Sequence, residues 1–344
     1  MTKENTRLGF WANLKKPVMV LAPMADVTDC AFRQIIAKYG KPDVFFTEFV
    51  SVDGLCSPGK ERLMIDLKYG ENEHPIVAQI FGSKPENFEE VARMLVKMGF
   101  DGIDINMGCP VKKVLNQNSC SALIRTPELA KEIIIATKRG APGLPVSVKT
   151  RIGFSRMEEA DTWISNVLEA EPAVLTVHLR TVKEMSKVPA HWEVMKRLVE
   201  IRNEMKKETL IFGNGDVADT DDARRKCKET GCDGVMLGRA IFGNPWLFSR
   251  RNSKFPQDYP AAQRHHSEIL VPPISEKLRV MVEHTKLFEE MLGEHKNFAI
   301  MKKHYKAYVN GFDGAKELRM KLMDAKDAGE VEEITREFLL GTTF

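Results

Sequence analysis

Residues 87–110 read N-F-E-E-V-A-R-M-L-V-K-M-G-F-D-G-I-D-I-N-M-G-C-P and contain the unit from which the fold is built. The first half places apolar residues at helical spacing and ends at Gly99, as helices often do. The second half, residues 102–108, is a short apolar run bounded by glycine, which is typical of a buried strand. The stretch therefore predicts a helix that leads into a strand.

The same alternation recurs along the chain. Eight apolar runs are predicted strands, at 17–24, 44–51, 75–82, 102–108, 144–152, 173–180, 209–216 and 233–239. Amphipathic patterns that predict helices lie between several of them, for example at 87–99, 126–140 and 220–231. This order predicts an α/β fold, a TIM (β/α)8 barrel. The alternative is a doubly wound open sheet, which usually has fewer strands; moreover, no G-x-G-x-x-G follows the first run.

The pattern changes after about residue 250. Residues 251–274 are polar and contain several prolines, as connectors do, whereas residues 275–344 show helical patterns with few strand signals. We therefore expect a barrel domain at 1–250, a connector at 251–274 and a small all-helical C-terminal domain at 275–344.

Composition limits the class of protein. The 344 residues are 43% hydrophobic and 29% charged, which fits a soluble globular protein, and the net charge of +3 neither demands nor excludes a nucleic-acid partner. The six scattered cysteines indicate reduced thiols and form no zinc-binding pattern, so we expect no metal site. No run approaches the roughly 18 apolar residues of a membrane span, and no signal peptide is visible at the N-terminus. We expect a cytoplasmic protein with no membrane partner.

Polar residues mark the ends of most predicted strands, where the chemistry of such barrels lies. They are Asp26, Gln79, Asn106, Cys109, Lys149, Arg151, His178, Arg180, Asn214, Asp216 and Arg239. Lys149 stands within V-S-V-K-T, and an ammonium inside a barrel is costly to bury without a partner. A phosphate or an anionic ring would be such a partner.

Two glycine-containing stretches indicate where a phosphate would bind. G-N-G-D at 213–216 and the pair Gly238–Arg239 follow the last two predicted strands, the usual phosphate site of these barrels. Glycine lets backbone N–H groups approach the phosphate, and Arg239 adds charge-assisted hydrogen bonds. The residues thus predict a pocket for a phosphorylated cofactor.

Six motifs together resemble the tRNA-dihydrouridine synthases. They are A-P-M-A-D-V-T-D-C-A-F-R (22–33), Q-I-F-G (79–82), D-I-N-M-G-C-P-V-K-K (104–113), V-S-V-K-T-R-I-G (146–153), G-N-G-D-V (213–217) and D-G-V-M-L-G-R-A-I-F-G-N-P-W (233–246). The resemblance runs in order from residue 17 to about 248 and continues more loosely in the C-terminal stretch. N-M-G-C-P-V-K-K is highly specific, whereas A-P-M and G-N-G-D also occur in other flavin barrels.

The resemblance implies an FMN cofactor, NADPH as reductant and uridine in tRNA as substrate. The implied cofactor-binding residues are Pro23 and Met24 along the flavin ring, Gln79 and Lys149 at its polar edge, His178 beside it, and Asn214, Gly215, Asp216, Gly238 and Arg239 around its phosphate end. Asn106 would bind the target uracil. Cys109 would protonate C5 after a hydride reaches C6, which requires a thiol and not a thiolate.

A basic segment predicts the RNA-binding surface. Residues 295–321 contain seven Lys/Arg and two Asp/Glu. Lys302, Lys303 and Lys306, with Tyr305 and Tyr308, would line an RNA-facing helix, and Arg180 would be a further substrate contact. The alternative is a solvated helix face with aromatic core positions. We expect tRNA as the partner of a monomeric protein.

Two segments depart from the family pattern. A glycine-rich loop usually follows V-K-K, but here Asn118, Ser119 and Cys120 stand there, so the flexibility of the loop and an influence of Cys120 on the redox state of Cys109 are open questions. The segment after H-L-R-T at 178–181 also differs, which leaves the target uridine open. The competing functions are the same chemistry on ribosomal RNA, an FMN-dependent oxidoreductase of small molecules, and an RNA-binding protein without enzyme activity.

Overall fold

The computed structural model describes residues 7–249 and 272–341. Its contacts divide the chain into two compact units, one of Met1–Pro23 with Asp43–Gly238 and one of Met24–Pro42 with Arg239–Phe344. The segment Met24–Pro42 thus groups with the C-terminal helices, although the sequence alone placed it in the barrel domain. The connector expected at 251–274 lies outside the described residues up to position 271.

Nine parallel strands form the first unit. They are β1 (Val18–Leu21), β2 (Phe45–Phe46), β3 (Val50–Ser51), β4 (Ile76–Phe81), β5 (Gly102–Met107), β6 (Val146–Arg151), β7 (Val174–His178), β8 (Leu210–Asn214) and β9 (Gly234–Leu237). The order is β1-β9-β8-β7-β6-β5-β4-β2, with β3 also paired to β4. A bridge between Val20 and Val44 brings the two ends of the sheet together. The (β/α)8 prediction is confirmed; the second predicted strand is interrupted and appears as β2 and β3.

Helices follow the strands along the chain. They are α1 (Cys30–Tyr39), which belongs to the second unit, α2 (Val52–Leu55), α3 (Lys60–Met64), α4 (Pro85–Lys97), α5 (Lys112–Leu115), α6 (Pro127–Gly140), α7 (Glu159–Glu169), α8 (Met195–Glu204) and α9 (Thr220–Thr230). In α4 a proline occupies the first turn, where its missing N–H has no helical partner to lose. Phe88, Val91 and Leu95 of α4 form a buried apolar face at helical spacing.

The barrel interior changes from apolar to polar along the strands. Its apolar cluster includes Val18, Val20, Val77 and Phe212, and Trp11 packs edge-on against Phe212 with ring centroids 5.7 Å apart. Toward the C-terminal ends the parallel register pairs polar residues, namely Gln79 with Asp104, Asn106 with Lys149 and His178 with Asn214. The register therefore gathers the strand-end residues at one end of the barrel.

The second unit is helical. It contains α1 with α10 (Ile274–Leu292), α11 (Met301–Tyr308), α12 (Ala315–Asp324) and α13 (Ala328–Gly341). The carboxylate of Asp29 caps α1 by accepting a hydrogen bond from the Phe32 N–H at 2.9 Å. The Phe32 ring packs against the rings of His284 and His304, with centroids 4.8 and 4.7 Å away. Among the described residues, no helix is both long enough and apolar enough to span a bilayer.

Candidate active site

A hydrogen-bonded chain of polar side chains lies in the barrel interior. Gln79 Nε2 donates to Asp104 Oδ2 at 2.7 Å, and Asn106 Nδ2 donates to Gln79 Oε1 at 3.1 Å. Ser147 Oγ donates to the other oxygen of Asp104 at 2.5 Å. All four side chains are buried, so these bonds hold the amide groups of Gln79 and Asn106 in one orientation.

Asp104 is a buried member of this hydrogen-bonded group that the sequence analysis did not single out. Burial raises the pKa of its carboxyl to about 6, although Ser147, Gln79 and the charge of Lys149 oppose this shift. Near neutral pH the carboxylate thus provides negative charge close to Lys149. An acidic residue in the middle of the apolar run G-I-D-I-N-M was the available signal, because an unpaired carboxylate would not be buried there.

The Asn106 amide holds the turn that presents Cys109. Its Oδ1 accepts hydrogen bonds from the backbone N–H groups of Gly108 at 3.0 Å and Cys109 at 3.1 Å. Arg151 holds the turn from the other side, because its Nε donates to the Gly108 carbonyl at 2.8 Å. The amide at the end of the strand thus closes the following turn through its oxygen. Its nitrogen has two N–H groups, of which one bonds to Gln79 and the other can bind a ligand.

Cys109 is partly exposed, and its pKa is lowered to about 6. The largest cause is a hydrogen bond from the Cys120 thiol, with further contributions from a backbone hydrogen bond of Val111 and from the charges of Arg151 and Lys149; burial opposes the shift. These contributions favour the thiolate form of Cys109.

The ammonium of Lys149 has a neutral hydrogen-bond partner. Its Nζ donates to Asn214 Oδ1 at 3.2 Å, and Asn214 is held in turn by a bond from its Nδ2 to the Met236 carbonyl at 2.8 Å. Burial, together with the charge of Arg151, lowers the pKa of Lys149 to about 8, while Asp104 opposes this. A largely cationic group without a directly bonded carboxylate suits an anionic ligand.

Arg180 fixes the protonation of His178. One guanidinium nitrogen lies 3.0 Å from His178 Nε2, and a guanidinium can only donate. Nε2 therefore accepts, the imidazole is neutral and its proton is on Nδ1. The same guanidinium forms an ion pair with Asp216, and its Nε donates to the Val188 carbonyl at 2.6 Å. Arg180 is only 2% exposed, so here it binds within the protein; its contact with RNA remains a prediction.

The chain after β8 combines unusual backbone angles with close packing. Gly215 and Asp216 have φ values of 125° and 48°. A Cβ at position 215 would lie 2.8 Å from the Ala190 Cβ and 3.1 Å from His178 Cδ2, so only glycine fits beside that imidazole. Because the Asp216 carboxylate can only accept hydrogen bonds, only the backbone N–H of Asp216 is suited to a phosphate. Pro23 and Gly238 follow the paired strands β1 and β9 at the same end of the barrel.

The remaining predicted residues belong to the helical unit. Met24 forms the turn before α1, where its N–H donates to Thr28 Oγ1 at 2.9 Å, and Arg239 is exposed. The predicted basic surface maps to α11, where Lys303 and Lys306 are exposed and Lys302 is partly exposed.

The two tyrosines of α11 do not share that surface. Tyr305 and Tyr308 are both 0% exposed, so the prediction that they line an RNA-facing helix is wrong, and the alternative of aromatic core positions is correct for them. Lys303 and Lys306 share one face of α11 and Tyr305 and Tyr308 share another, because residues one helical turn apart lie on the same face.

The altered loop after Cys109 keeps glycine-like backbone angles. Asn118 and Cys120 have φ values of 53° and 54°, in the left-handed region that glycine adopts without strain. The backbone therefore retains a conformation suited to glycine at these two positions, while the Cys120 side chain is buried. The substitutions add side chains without removing this backbone conformation.

Comparisons of the sequence with known proteins identify its family. The family model described as "Dihydrouridine synthase (Dus)" matches residues 20–341. A protein of Staphylococcus aureus (strain Mu50 / ATCC 700699) named "Probable tRNA-dihydrouridine synthase" is 42% identical over 338 residues, which cover 98% of this chain and 96% of that protein. A protein of Bacillus subtilis (strain 168) named "Probable tRNA-dihydrouridine synthase 2" is 40% identical over 330 residues, 96% of each chain. The chain belongs to the dihydrouridine synthase family.

Proposed function

We propose that this protein is a tRNA-dihydrouridine synthase that binds FMN, uses NADPH to reduce it, and converts uridines of tRNA to 5,6-dihydrouridine. The observation that carries the proposal is the position of Cys109. Its turn is held by the Asn106 amide, and its sulfur lies within the electrostatic influence of Lys149 and Arg151. The names of the relatives, at 40–42% identity over nearly the whole chain, support tRNA as the substrate.

The residues at the barrel end fit a flavin. Lys149 offers a cationic donor, Gln79 an amide, and His178 a neutral imidazole with its proton on Nδ1. The backbone at Gly215 and Gly238 suits the phosphate end. When bound and reduced, FMN supplies the hydride for C6 of the uracil. Lys149 would stabilise negative charge on the ring.

Cys109 would supply the proton for C5. A general acid works best when its pKa lies near the operating pH, and the value of about 6 is close to that range. Because the thiol is the donating form, protonation weakens as the pH rises through this pKa. An anion bound at Lys149 would offset the cationic charges near the sulfur, raise the pKa of Cys109 and restore the thiol. The second N–H of Asn106 Nδ2 would bind a carbonyl of the uracil.

The RNA itself would be bound by other parts of the chain. A uridine within folded tRNA must be unstacked before it enters a protein pocket. The exposed lysines of α11 are suited to backbone phosphates, since Lys303 and Lys306 lie one turn apart on the helix.

The test is an anaerobic single-turnover reaction. The flavin of the purified protein is reduced with NADPH, and its reoxidation is followed by absorbance after tRNA lacking dihydrouridine is added. We expect rapid reoxidation by the wild type. In Cys109→Ala it should be slower by about 100-fold or more, the usual contribution of a general acid.

A matched control uses another cysteine. Cys56 is exposed, so Cys56→Ala should reoxidise at the wild-type rate. A flavin that NADPH reduces but tRNA does not oxidise would contradict the tRNA assignment; the same assay with ribosomal RNA then tests the nearest alternative. A protein that cannot bind FMN would contradict the proposal altogether.

A further inference from the structure

The indole of Trp192 lies against the chain that follows β8. Its Nε1 donates a hydrogen bond to the Gly215 carbonyl at 2.7 Å. We propose that Trp192 is a positioning residue of the phosphate site, because this bond turns the backbone N–H of Asp216 toward the inside of the barrel. The inference rests on the proposed function, in which the chain at 213–216 holds the phosphate end of FMN.

The ring of Trp192 lies on the outer face of the sheet. Phe212 of β8 belongs to the apolar cluster of the barrel interior, and side chains alternate along a strand, so Gly213 faces outward. A Cβ at Gly213 would lie only 2.4 Å from Trp192 Cη2. On its other side, the ammonium of Lys226 in α9 lies 4.5 Å from the ring centroid. The indole therefore fills the space between β8 and α9.

The bond to Gly215 sets the direction of one peptide group. In a trans peptide, the C=O of one residue and the N–H of the next point in opposite directions. The Gly215 carbonyl points outward to Trp192, so the N–H of Asp216 points inward. Inward is the side on which Asn214 bonds to Lys149. The N–H that suits a phosphate is thus directed to the side of the sheet that bears the polar strand-end residues.

The backbone at Asp216 needs such support. Its φ of 48° lies in the left-handed region, which a residue with a Cβ adopts at some energetic cost. The Asp216 carboxylate accepts a bond from the Ala190 N–H at 2.9 Å, and two residues later Trp192 donates to Gly215. Without the indole N–H, rotation of the peptide would relieve the strain at Asp216 and turn the Gly215 carbonyl inward, where its oxygen would repel a phosphate.

The test compares two flavins that differ only in the phosphate. The flavin is removed from the full-length protein, and the apoprotein is titrated with FMN and with riboflavin while the quenching of flavin fluorescence is followed. Riboflavin has the same ring and ribityl chain as FMN, so the ratio of the two dissociation constants reports on the phosphate site. This measurement requires neither RNA nor turnover.

Two replacements of Trp192 remove the hydrogen-bond donor. Trp192→Phe keeps an aromatic ring, and 3-benzothienylalanine at the same position keeps the shape of the indole but has sulfur in place of the N–H. We expect both to weaken FMN binding by about tenfold or more, the contribution of a hydrogen bond to a charged group, and to change riboflavin binding by less than about twofold. Trp163→Phe is the matched control, because the Trp163 indole donates to Thr150 Oγ1 at 3.0 Å; its ratio should equal that of the wild type.

The isosteric variant decides the outcome, including the case in which Trp192→Phe does not fold. An unchanged ratio of the two dissociation constants in that variant overturns the proposal. An equal loss of FMN and riboflavin binding also overturns it, because Trp192 would then act only through packing.

The single-turnover assay separates this inference from the proposed function. If the variants lose FMN selectively while tRNA does not reoxidise the wild-type flavin, the proposed function fails and the role of Trp192 stands. If tRNA reoxidises the flavin and the ratio does not change, only the role of Trp192 is lost. A wild type that binds neither flavin would contradict both.

Discussion

The barrel interior and the core of the helical unit both bury polar side chains, but they do so in opposite ways. In the barrel, Gln79, Asp104 and Ser147 satisfy one another through hydrogen bonds. In the helical unit, His284 and His304 are packed among aromatic rings, and none of their four ring nitrogens has a hydrogen-bond partner among the described residues. The buried polar groups of the barrel are hydrogen-bonded to one another, whereas the imidazoles of the helical unit make only ring-packing contacts.

The difference shows in how the groups titrate. Despite burial, the pKa of Lys149 falls only to about 8 and that of Asp104 rises only to about 6, because each charge has partners in the network. The pKa of His304 falls to about 3 because burial disfavours its cation and Lys303 adds repulsion; the pKa of His284 is lowered for the same main reason, with His304 as the neighbour. In this protein the connected polar groups lie at the candidate active site, whereas the isolated imidazoles lie in an aromatic core.

The strongest test of the comparison removes the barrel's central cation. Lys149→Met should lower the rate of tRNA-dependent flavin reoxidation by at least about 100-fold, because it removes a charge aimed at developing negative charge. The single-turnover assay and the flavin content of the purified variant measure this. Lys138 is a matched control, since it is also half-buried but donates to the carbonyls of Ala170 and Glu171. A Lys138→Met variant with the same defect would show that the loss reflects general destabilisation.

The network predicts a large stability effect at Asp104. Asp104→Leu leaves the buried donors of Gln79 and Ser147 without an acceptor, and we expect the free energy of unfolding to fall by about 3 kcal/mol. Urea unfolding at pH 7 measures it. Asp104→Asn, which keeps an acceptor and the shape, should lose clearly less; equal losses would mean that the network contributes nothing specific.

Asp104 also has a defined pH signature in that experiment. Its folded pKa of about 6 exceeds the ordinary 3.8, so the folded state binds the proton more tightly. The proton-linked part of the Asp104 contribution is therefore present at low pH and is lost as the pH rises from about 4 to 6, by about 1.4 kcal/mol per unit. The hydrogen bonds tested at pH 7 are a separate contribution. Asp104→Asn should remove this slope.

For the aromatic core we predict the opposite result, a gain in the free energy of unfolding when a buried imidazole is replaced. The folded pKa of His304 lies below the ordinary 6.5, so its neutral form stabilises the fold above pH 6.5 and that stability is lost as the pH falls toward about 3. His304→Leu should therefore exceed the wild type in unfolding free energy at pH 5 by about 2 kcal/mol, with a smaller difference at pH 7.5. Urea unfolding at both pH values measures this, with the exposed His295→Leu as the control. A variant that is less stable at pH 5 would point to an undetected partner of the imidazole.

The smallest effect is expected on the exposed face of α11. Replacing Lys303 and Lys306 with alanine should weaken tRNA binding several-fold and reduce the salt dependence of binding by about two counterions, while the free energy of unfolding changes by less than about 0.5 kcal/mol. Binding titrations at several salt concentrations measure it. Lys286→Ala is the control, because Lys286 is an exposed lysine of α10 that pairs with Glu332. Equal weakening by that control would argue against a specific role for α11.

The sequence predicted the barrel well because strand and helix leave strong local signals. All eight predicted strands are present, the second as β2 and β3, and α4, α6 and α9 match predicted helices within about two residues. The strand-end residues are brought together by the register, which follows from the parallel fold itself.

What the sequence did not predict depends on contacts between distant residues. The hydrogen bond from Arg180 to His178 and its ion pair with Asp216 gave no local signal, so Arg180 was assigned to RNA and Asp216 to phosphate. The positive charge of residues 295–321 likewise predicted a basic surface but gave no information on the inward face of α11, where Tyr305 and Tyr308 are buried. Charge patterns indicate the solvent-facing side of a helix and reveal little about its other side.

The grouping of α1 with the C-terminal helices has a consequence for how the protein is made. Lys38 in α1 bonds to Glu283 in α10, 245 positions later in the chain, and Phe32 fills the space between two imidazoles from α10 and α11. On the ribosome, α1 therefore leaves the exit tunnel long before its helical partners have been translated. The apolar face of α1 therefore has no helical partner until α10 and α11 have been synthesised, and a protein shortened before α10 would expose Phe32 to chaperones and proteases.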